Sequence, residues 1–117
     1  MREKTLAIDF DGVIHKYSKG WMDSSIYDDP VDGAKEKMEE LVSRGYRLII
    51  FTVRLNPLVN EEPNLERNKM NKWLFDHGFI EGVHYHEITA VKPAADVYID
   101  DKAIRFTNWD EVMKVVE

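Results

Sequence analysis

Three short apolar segments of the chain end in side chains that can bind a cation or a phosphate. The first segment runs into Asp9 and Asp11, the second into Thr52, and the third into Asp100 and Asp101. Carboxylates that crowd together repel one another unless a cation neutralises them. Mg²⁺ takes oxygen ligands and commonly partners phosphate, so this pattern points to magnesium-assisted phosphoryl chemistry.

The residue types also suggest how such chemistry would proceed. One Asp beside the ion can attack phosphorus as a nucleophile, and a second can donate a proton to the leaving alcohol and later activate water. Thr52 and Lys92, which lies a few residues before the third segment, would bind the phosphoryl oxygens, where charge must be stabilised in the transition state.

The elements that must position these residues follow an α/β pattern. Apolar runs alternate with stretches of helical periodicity, which favours a mostly parallel sheet. Strands are predicted at 5–10, 46–52, 85–89 and 97–99, and helices from about Asp29–Pro30, from Asn64 and from Asn108. Residues 12–29 and 53–63 are predicted to form a flap and a loop. Because parallel strands open their binding site at their carboxyl ends, the polar residues are expected to converge there.

Four sequence motifs resemble those of the haloacid dehalogenase (HAD) superfamily. Asp9-Phe10-Asp11-Gly12-Val13 is similar to the first motif, and the apolar strand ending in Thr52 to the second. Lys92-Pro93 is similar to the third and Ile99-Asp100-Asp101 to the fourth, in the family's order across residues 5–101. The resemblance implies a Rossmann-like three-layer sandwich with a mostly parallel central sheet and Mg²⁺-dependent phosphoryl transfer.

The same resemblance implies roles for the acidic residues. Asp9 would be the nucleophile and a metal ligand, and Asp11 the general acid and base, with its backbone carbonyl on the metal. Asp101 would be the third protein ligand of Mg²⁺. Asp100 would either bind the ion directly or contact a group that binds it. Because dehalogenases of this superfamily do not use the second Asp of the first motif, Asp11 favours phosphatase or phosphotransferase activity.

The expected substrate contacts extend beyond the motif residues. By the resemblance, Thr52 and Lys92 hold the phosphate. Arg54 follows Thr52 by two residues and is placed to bind a substrate anion, although an ordinary loop arginine is the alternative. Within the flap, the leaving group could be contacted by His15, Lys16 and Trp21.

Length and composition limit the remaining possibilities. The 117 residues, 44% of them hydrophobic, fit a single domain over 1–117 with its own core. The chain has no Cys, a net charge of −6 and neither a membrane-length apolar run nor a secretory signal. We therefore expect a cytoplasmic protein that is not membrane-bound and for which nucleic acid is not the favoured partner.

The intervals between the motifs are too short for the cap domain that many HAD proteins carry. A capless site is open, which suits a macromolecular or extended substrate, or a site that a neighbouring subunit covers in a homo-oligomer. Nucleotides, sugar phosphates and phosphorylated polymer ends all remain open as substrates.

The same set of residues allows three functions other than that of a phosphomonoesterase. The same residues would serve a phosphotransferase or mutase, which the sequence does not separate from a phosphatase. A receiver domain also has an acidic pair, a Thr and a Lys-Pro, but in an order that places a phospho-accepting Asp in mid-chain, where this chain has Thr52. A phosphate- or metal-binding protein without catalysis is the third.

Two further patterns are a pair of alternating histidines and an apolar stripe at helical spacing. His84 and His86 alternate along a predicted strand, but a third zinc ligand is not evident. In the last predicted helix, an apolar stripe at helical spacing is expected to pack in the core; it consists of Trp109, Val112, Met113 and Val116.

Overall fold

The computed structural model describes residues 4–116. Its strands and helices, in chain order, are β1 (Thr5–Asp9), α1 (Ala34–Ser43), β2 (Arg47–Phe51), α2 (Pro63–Asp76), β3 (Glu87–Thr89), β4 (Val97–Ile99) and α3 (Trp109–Val116). A short 3-10 turn at Val53–Leu55 follows β2. These positions agree with the predicted elements to within a few residues, except at the start of α1.

The four strands form one all-parallel sheet in the order β3-β2-β1-β4. A row of isoleucines crosses the sheet in register: Ile88, Ile50, Ile8 and Ile99. The first three are buried, whereas Ile99 on β4 keeps 37% of its surface exposed. The predicted Rossmann-like α/β fold with a parallel sheet is confirmed.

The core lies on one face of the sheet, beneath α1 and α2. Met38 of α1 and Met70, Trp73 and Leu74 of α2 belong to the same buried cluster as the inward side chains of β1 and β2. β-Branched and aliphatic side chains on alternate strand positions supply the sheet's share of this cluster, as the period of two requires. This packed face supports the strand ends at which the candidate site is built.

The first helix begins later than predicted, at Ala34 rather than near Pro30. Residues 29–31 are extended because they pair with the flap: His15 and Pro30 form an antiparallel bridge, and the Val31 N–H donates to the Ile14 carbonyl. Gly33, with φ of 83°, then turns the chain into the helix. Residues 10–33 contain no helix and no strand beyond such bridges, as expected for a capless site.

Within residues 4–116, α3 does not contribute to the buried cluster to which α1 and α2 belong. In the part of the chain that the structure describes, no residue of α3 is buried, and α3 makes no extensive contact with another element. Trp109 is 70% exposed and Met113 52%, so the prediction that this stripe packs in the core is wrong. The predicted start of this helix near Asn108 is confirmed, and the Asn108 side-chain oxygen accepts a hydrogen bond from the Glu111 N–H.

Among residues 4–116, no helix is both long and apolar enough to cross a membrane.

Candidate active site

The carboxyl edge of the sheet brings together the residues that follow three neighbouring strands. Asp9 is the last residue of β1, Thr52 follows β2, and Asp100 follows β4. β1 lies between β2 and β4, so its end is flanked by the other two. The prediction that these motif residues meet at one edge follows from this strand order and is confirmed for Asp9 and Asp100.

Three carboxylates form a cluster at this edge. Asp9, Asp100 and Asp101 each offer an oxygen that lies within 4.8 Å of the oxygens of the other two. Two ligands of one Mg²⁺, each at about 2.1 Å, are at most about 4.2 Å apart. The three oxygens would therefore have to move closer together to bind one ion.

The Asp9 carboxyl lies in an electrostatically unfavourable position. Partial burial and the neighbouring charges of Asp100 and Asp101 raise its pKa to about 7, although the Phe10 N–H opposes this by donating a 2.8 Å hydrogen bond to Oδ1. Without a cation, Asp9 is therefore held back from full ionisation. An all-oxygen donor set of this charge fits a hard divalent ion, which would reverse the effect.

Asp11 has a different environment, although it is only two residues away. Arg54 binds both of its oxygens, from Nε at 2.7 Å and Nη2 at 3.0 Å, and His15 Nδ1 donates to Oδ1 at 2.8 Å. Burial raises the pKa of Asp11, but the hydrogen bonds from His15 and Arg54 outweigh it and bring the pKa below its ordinary value. Its side chain is not part of the acidic cluster, and the metal contact predicted for its backbone carbonyl stays a prediction.

His15 and Arg54 are buried, and both are hydrogen-bonded to groups of the protein. The His15 ring has no exposed surface; its Nε2 accepts from the Asp28 N–H at 3.1 Å, which assigns the ring proton to Nδ1. Arg54 is 1% exposed. The substrate contacts predicted for both stay predictions, while the inward position of their side chains was not expected from loop positions beside the motif.

Thr52 and Lys92 occupy contrasting positions around Asp9. Thr52 is buried; its N–H donates to the Thr89 carbonyl, and its Oγ1 accepts from the Arg54 N–H, which leaves the hydroxyl proton as a donor. Lys92 is exposed, with Nζ 4.8 Å from the centre of the Tyr98 ring. Lys92, Asp9 and Asp100 all line a cavity of about 770 Å³ on the uncovered side of the sheet.

One buried acidic residue was missed by the sequence analysis. Glu66 of α2 is 1% exposed and accepts a 2.8 Å hydrogen bond from Arg54 Nη1. The sequence did indicate this burial, because Glu66 shares the i, i+4, i+7 stripe of α2 with Met70 and Trp73. A residue on that face of the helix points toward the core.

The histidine pair does not join a metal-binding group. Nδ1 of His84 accepts from the Ile80 N–H and Nδ1 of His86 from the Leu48 N–H, so each ring is tied to backbone. Within residues 4–116, the acidic cluster is the group that brings three such side chains together.

The comparisons with known proteins bear on the fold. The chain is similar to the solved structure of a conserved protein from Bacteroides thetaiotaomicron, with 20% identity over 98% of this chain and 90% of that one and a TM-score of 0.52. No family model and no curated protein matches the chain. At this identity the similarity shows a shared fold: the chain is a small Rossmann-like α/β protein.

Proposed function

We propose that the protein is a Mg²⁺-dependent phosphomonoester hydrolase of the HAD type that works through an aspartyl-phosphate on Asp9. The observation that carries the proposal is the cluster of Asp9, Asp100 and Asp101 at the carboxyl edge of the sheet. Lys92 lines the same cavity as Asp9 and Asp100, and Thr52 follows the strand that neighbours β1. Their ammonium and hydroxyl groups suit the oxygens of a phosphoryl group.

The residues suited to hold Mg²⁺ are the three carboxylates of this cluster. When bound, the ion would neutralise their charge and that of the phosphoryl oxygens. Asp9 has two oxygens for two tasks: Oδ1 accepts the Phe10 N–H, which orients the carboxylate, and Oδ2 makes no such backbone bond. Oδ2 is therefore the favoured nucleophile.

In the first step, Asp9 Oδ2 attacks phosphorus while the bond from phosphorus to the leaving oxygen breaks. Thr52 Oγ1 donates to one phosphoryl oxygen, and Lys92 Nζ balances the charge of the others. A strongly basic leaving oxygen takes a proton from the protonated form of Asp11, whereas a weakly basic one departs as the anion. Because His15 and Arg54 keep Asp11 ionised, leaving groups that depart without a proton are favoured.

In the second step, water attacks the phosphorus of the aspartyl-phosphate. Its proton passes to Asp11, the bond between phosphorus and Asp9 breaks, and inorganic phosphate leaves with the Asp9 carboxylate restored. An ionised Asp11 is the form that this step needs. Transfer to an acceptor alcohol instead of water would make the same site a phosphotransferase.

The cavity next to Asp9 bears on substrate size. Its volume of about 770 Å³ lies in the range of small-molecule sites. Phosphorylated small molecules such as sugar phosphates and nucleotides therefore fit the proposal, as does the end of a phosphorylated polymer. A homo-oligomer and a cytoplasmic location remain part of the proposal.

The test is phosphate release from a panel of phosphomonoesters, with Mg²⁺ and with a chelator. Wild type is compared with Asp9→Asn and with Asp110→Asn, an exposed Asp in the first turn of α3. We expect Mg²⁺-dependent turnover in wild type and Asp110→Asn, and a loss of about 10³-fold or more in Asp9→Asn, since the nucleophile is removed.

Full activity of folded Asp9→Asn would overturn the nucleophile assignment. Wild type that transfers phosphate from a donor to an alcohol without releasing it would be a phosphotransferase. Folded wild type that binds Mg²⁺ and does neither would indicate a non-catalytic binding protein.

A further inference from the structure

Arg54 is the centre of a buried network of charges. Four of its five N–H groups are used: Nε and Nη2 bind Asp11, and Nη1 binds both Glu66 Oε1 at 2.8 Å and the Ser24 carbonyl at 2.9 Å. Such a set requires the planar fork of an arginine, because a lysine ammonium is a single point of three donors. The network joins the loop after β1, the turn after β2, α2 and the flap.

The network fixes the orientation of the Asp11 carboxylate. Oδ1 accepts from both Arg54 Nη2 and His15 Nδ1, whereas Oδ2 accepts from Arg54 Nε alone. A carboxylate oxygen has two lone pairs, so one lone pair on Oδ2 is left for a proton. Rotation of the carboxylate would break a bidentate contact and a third hydrogen bond together.

The same guanidinium holds the flap beside Asp11. Its carbon lies 5.4 Å from the centre of the Trp21 ring, and Nη1 binds the Ser24 carbonyl. Lys69 of α2 adds a 2.8 Å hydrogen bond to Ser24 Oγ. Residues 21–24 of the flap are thus tied to the group that orients Asp11.

We infer that Arg54 is the positioning residue of the hydrolytic step: it holds Asp11 with one Oδ2 lone pair free for the proton of the attacking water, and it keeps the flap in place around that water. This inference rests on the proposed two-step hydrolysis. Arg54 does not contact Asp9, so the attack of Asp9 on phosphorus is independent of it when the leaving group needs no proton.

The inference makes the two steps separable by substitution. In Arg54→Lys the bidentate contact is lost, Asp11 is free to rotate, and the aspartyl-phosphate is hydrolysed slowly. With p-nitrophenyl phosphate, whose leaving group departs without a proton, the first step remains fast. Rapid mixing should show a burst of about one nitrophenolate per folded chain, followed by turnover about 10–100-fold slower than in wild type.

Three matched variants distinguish positioning from stability. Arg67→Lys makes the same change at a partly buried arginine of α2, whose Nη1 binds the Ile88 carbonyl. Glu66→Gln keeps an acceptor for Arg54 and leaves the Asp11 contacts, but removes a buried charge. Neither should show a burst, even if Glu66→Gln lowers the melting temperature. Arg54→Gln, which cannot span both Asp11 oxygens, should show the same burst as Arg54→Lys.

Hydrogen exchange provides a readout besides activity. The amides of residues 21–24 should exchange faster in Arg54→Lys than in wild type. In Arg67→Lys their exchange rates should equal those of wild type. Wild-type turnover combined with no burst in folded Arg54→Lys and Arg54→Gln would overturn the inference and leave the proposed function standing. Failure of both variants to fold would assign Arg54 a purely structural role, and inactive wild type would refute the proposed function itself.

Discussion

Residues 4–90 and residues 91–116 are held in very different ways. Every buried residue of the described structure lies in the first region, including all those of the hydrophobic cluster. The second region contains β4 and α3, and none of its described residues is buried. The two regions nevertheless meet in one sheet, where β4 pairs with β1 over three residues.

The candidate site draws on both regions. Asp9, Asp11 and Thr52 come from the packed region, whereas Lys92, Asp100 and Asp101 come from the exposed one. The charges around the two carboxylates of the packed region also differ, because Asp11 is paired with Arg54 and His15, whereas Asp9 faces the carboxylates of Asp100 and Asp101 from the exposed region. A cation bound by the acidic cluster would therefore join a rigid half of the site to a weakly held one.

The largest expected effect compares two methionines, one on each side of this division. Met70 of α2 is fully buried, and Met113 of α3 is 52% exposed. Met70→Ala should lower the free energy of unfolding by about 2–5 kcal/mol, because it removes core contacts and leaves a cavity. Met113→Ala should change it by less than about 0.5 kcal/mol. Urea unfolding followed by circular dichroism measures both.

A loss of stability in Met113→Ala comparable to that in Met70→Ala would contradict the difference in packing between the two regions. It would mean that the stripe on α3 is packed in solution, against the open face of the sheet or against a second copy. Sedimentation of the wild type at two concentrations would separate these two cases.

The next effect concerns pH and metal. The raised pKa of Asp9 means that the folded chain binds this proton more tightly than the unfolded chain. The resulting stability is present below about pH 4 and is lost as the pH rises through about 7. In a chelator, the melting temperature should therefore fall from pH 5 to pH 8, and Asp9→Asn should remove this fall. Asp11, with its lowered pKa, stays ionised in this window.

Mg²⁺ should oppose the fall, because it binds the ionised cluster. At a hundredfold excess over its dissociation constant, a ligand of the folded state adds about 2.7 kcal/mol. We expect this gain in melting experiments at pH 8, a smaller gain at pH 5 where protons compete, and the strongest new protection from hydrogen exchange in residues 97–101. An equal gain in Asp9→Asn would contradict the assigned ligands.

The smallest expected effect tests how closely the two regions approach. A Cβ at Gly12 would lie 2.6 Å from Asp101 Cγ, whereas one at Gly20 would meet nothing within 4 Å. Both glycines have positive φ, so Ala is strained by about 1–2 kcal/mol at either position. Gly12→Ala should also displace Asp101 and weaken Mg²⁺ binding about tenfold, or about 1.4 kcal/mol. Titration calorimetry on both variants measures this difference.

Equal Mg²⁺ affinity in Gly12→Ala and Gly20→Ala would show that Asp101 is not held against the first loop in solution.

The strands and the edge at which the site forms were predictable because they depend on local pattern. The apolar runs ending in Asp9 and Thr52 read as buried parallel strands, and both lie where predicted to within one residue. The start of α1 was not predictable from Pro30, a common first helical residue, because the bridge to His15 keeps that segment extended. Such a pairing joins distant residues and leaves no local trace.

The details of the site depended still more on tertiary structure. The sequence predicts that Arg54 and His15 lie on loops where they could contact substrate. Both are instead buried and hydrogen-bonded to Asp11 and to residues of the flap and α2. The apolar stripe of α3 has core periodicity, yet none of the described residues of this helix is buried. Periodicity reports which residues share a face of a helix, but it does not report whether that face is covered.

The residue types and their order along the chain were enough to determine the parallel α/β fold, because strand periodicity is a local property of the sequence. They also determined the edge of the sheet where Asp9 and Asp100 meet, because the carboxyl ends of parallel strands always share one edge. Only the tertiary structure decided that Asp11 is bound by Arg54 and His15 while Asp9 faces two other carboxylates, because burial and charge partners come from residues 4 to 92 positions away in the sequence.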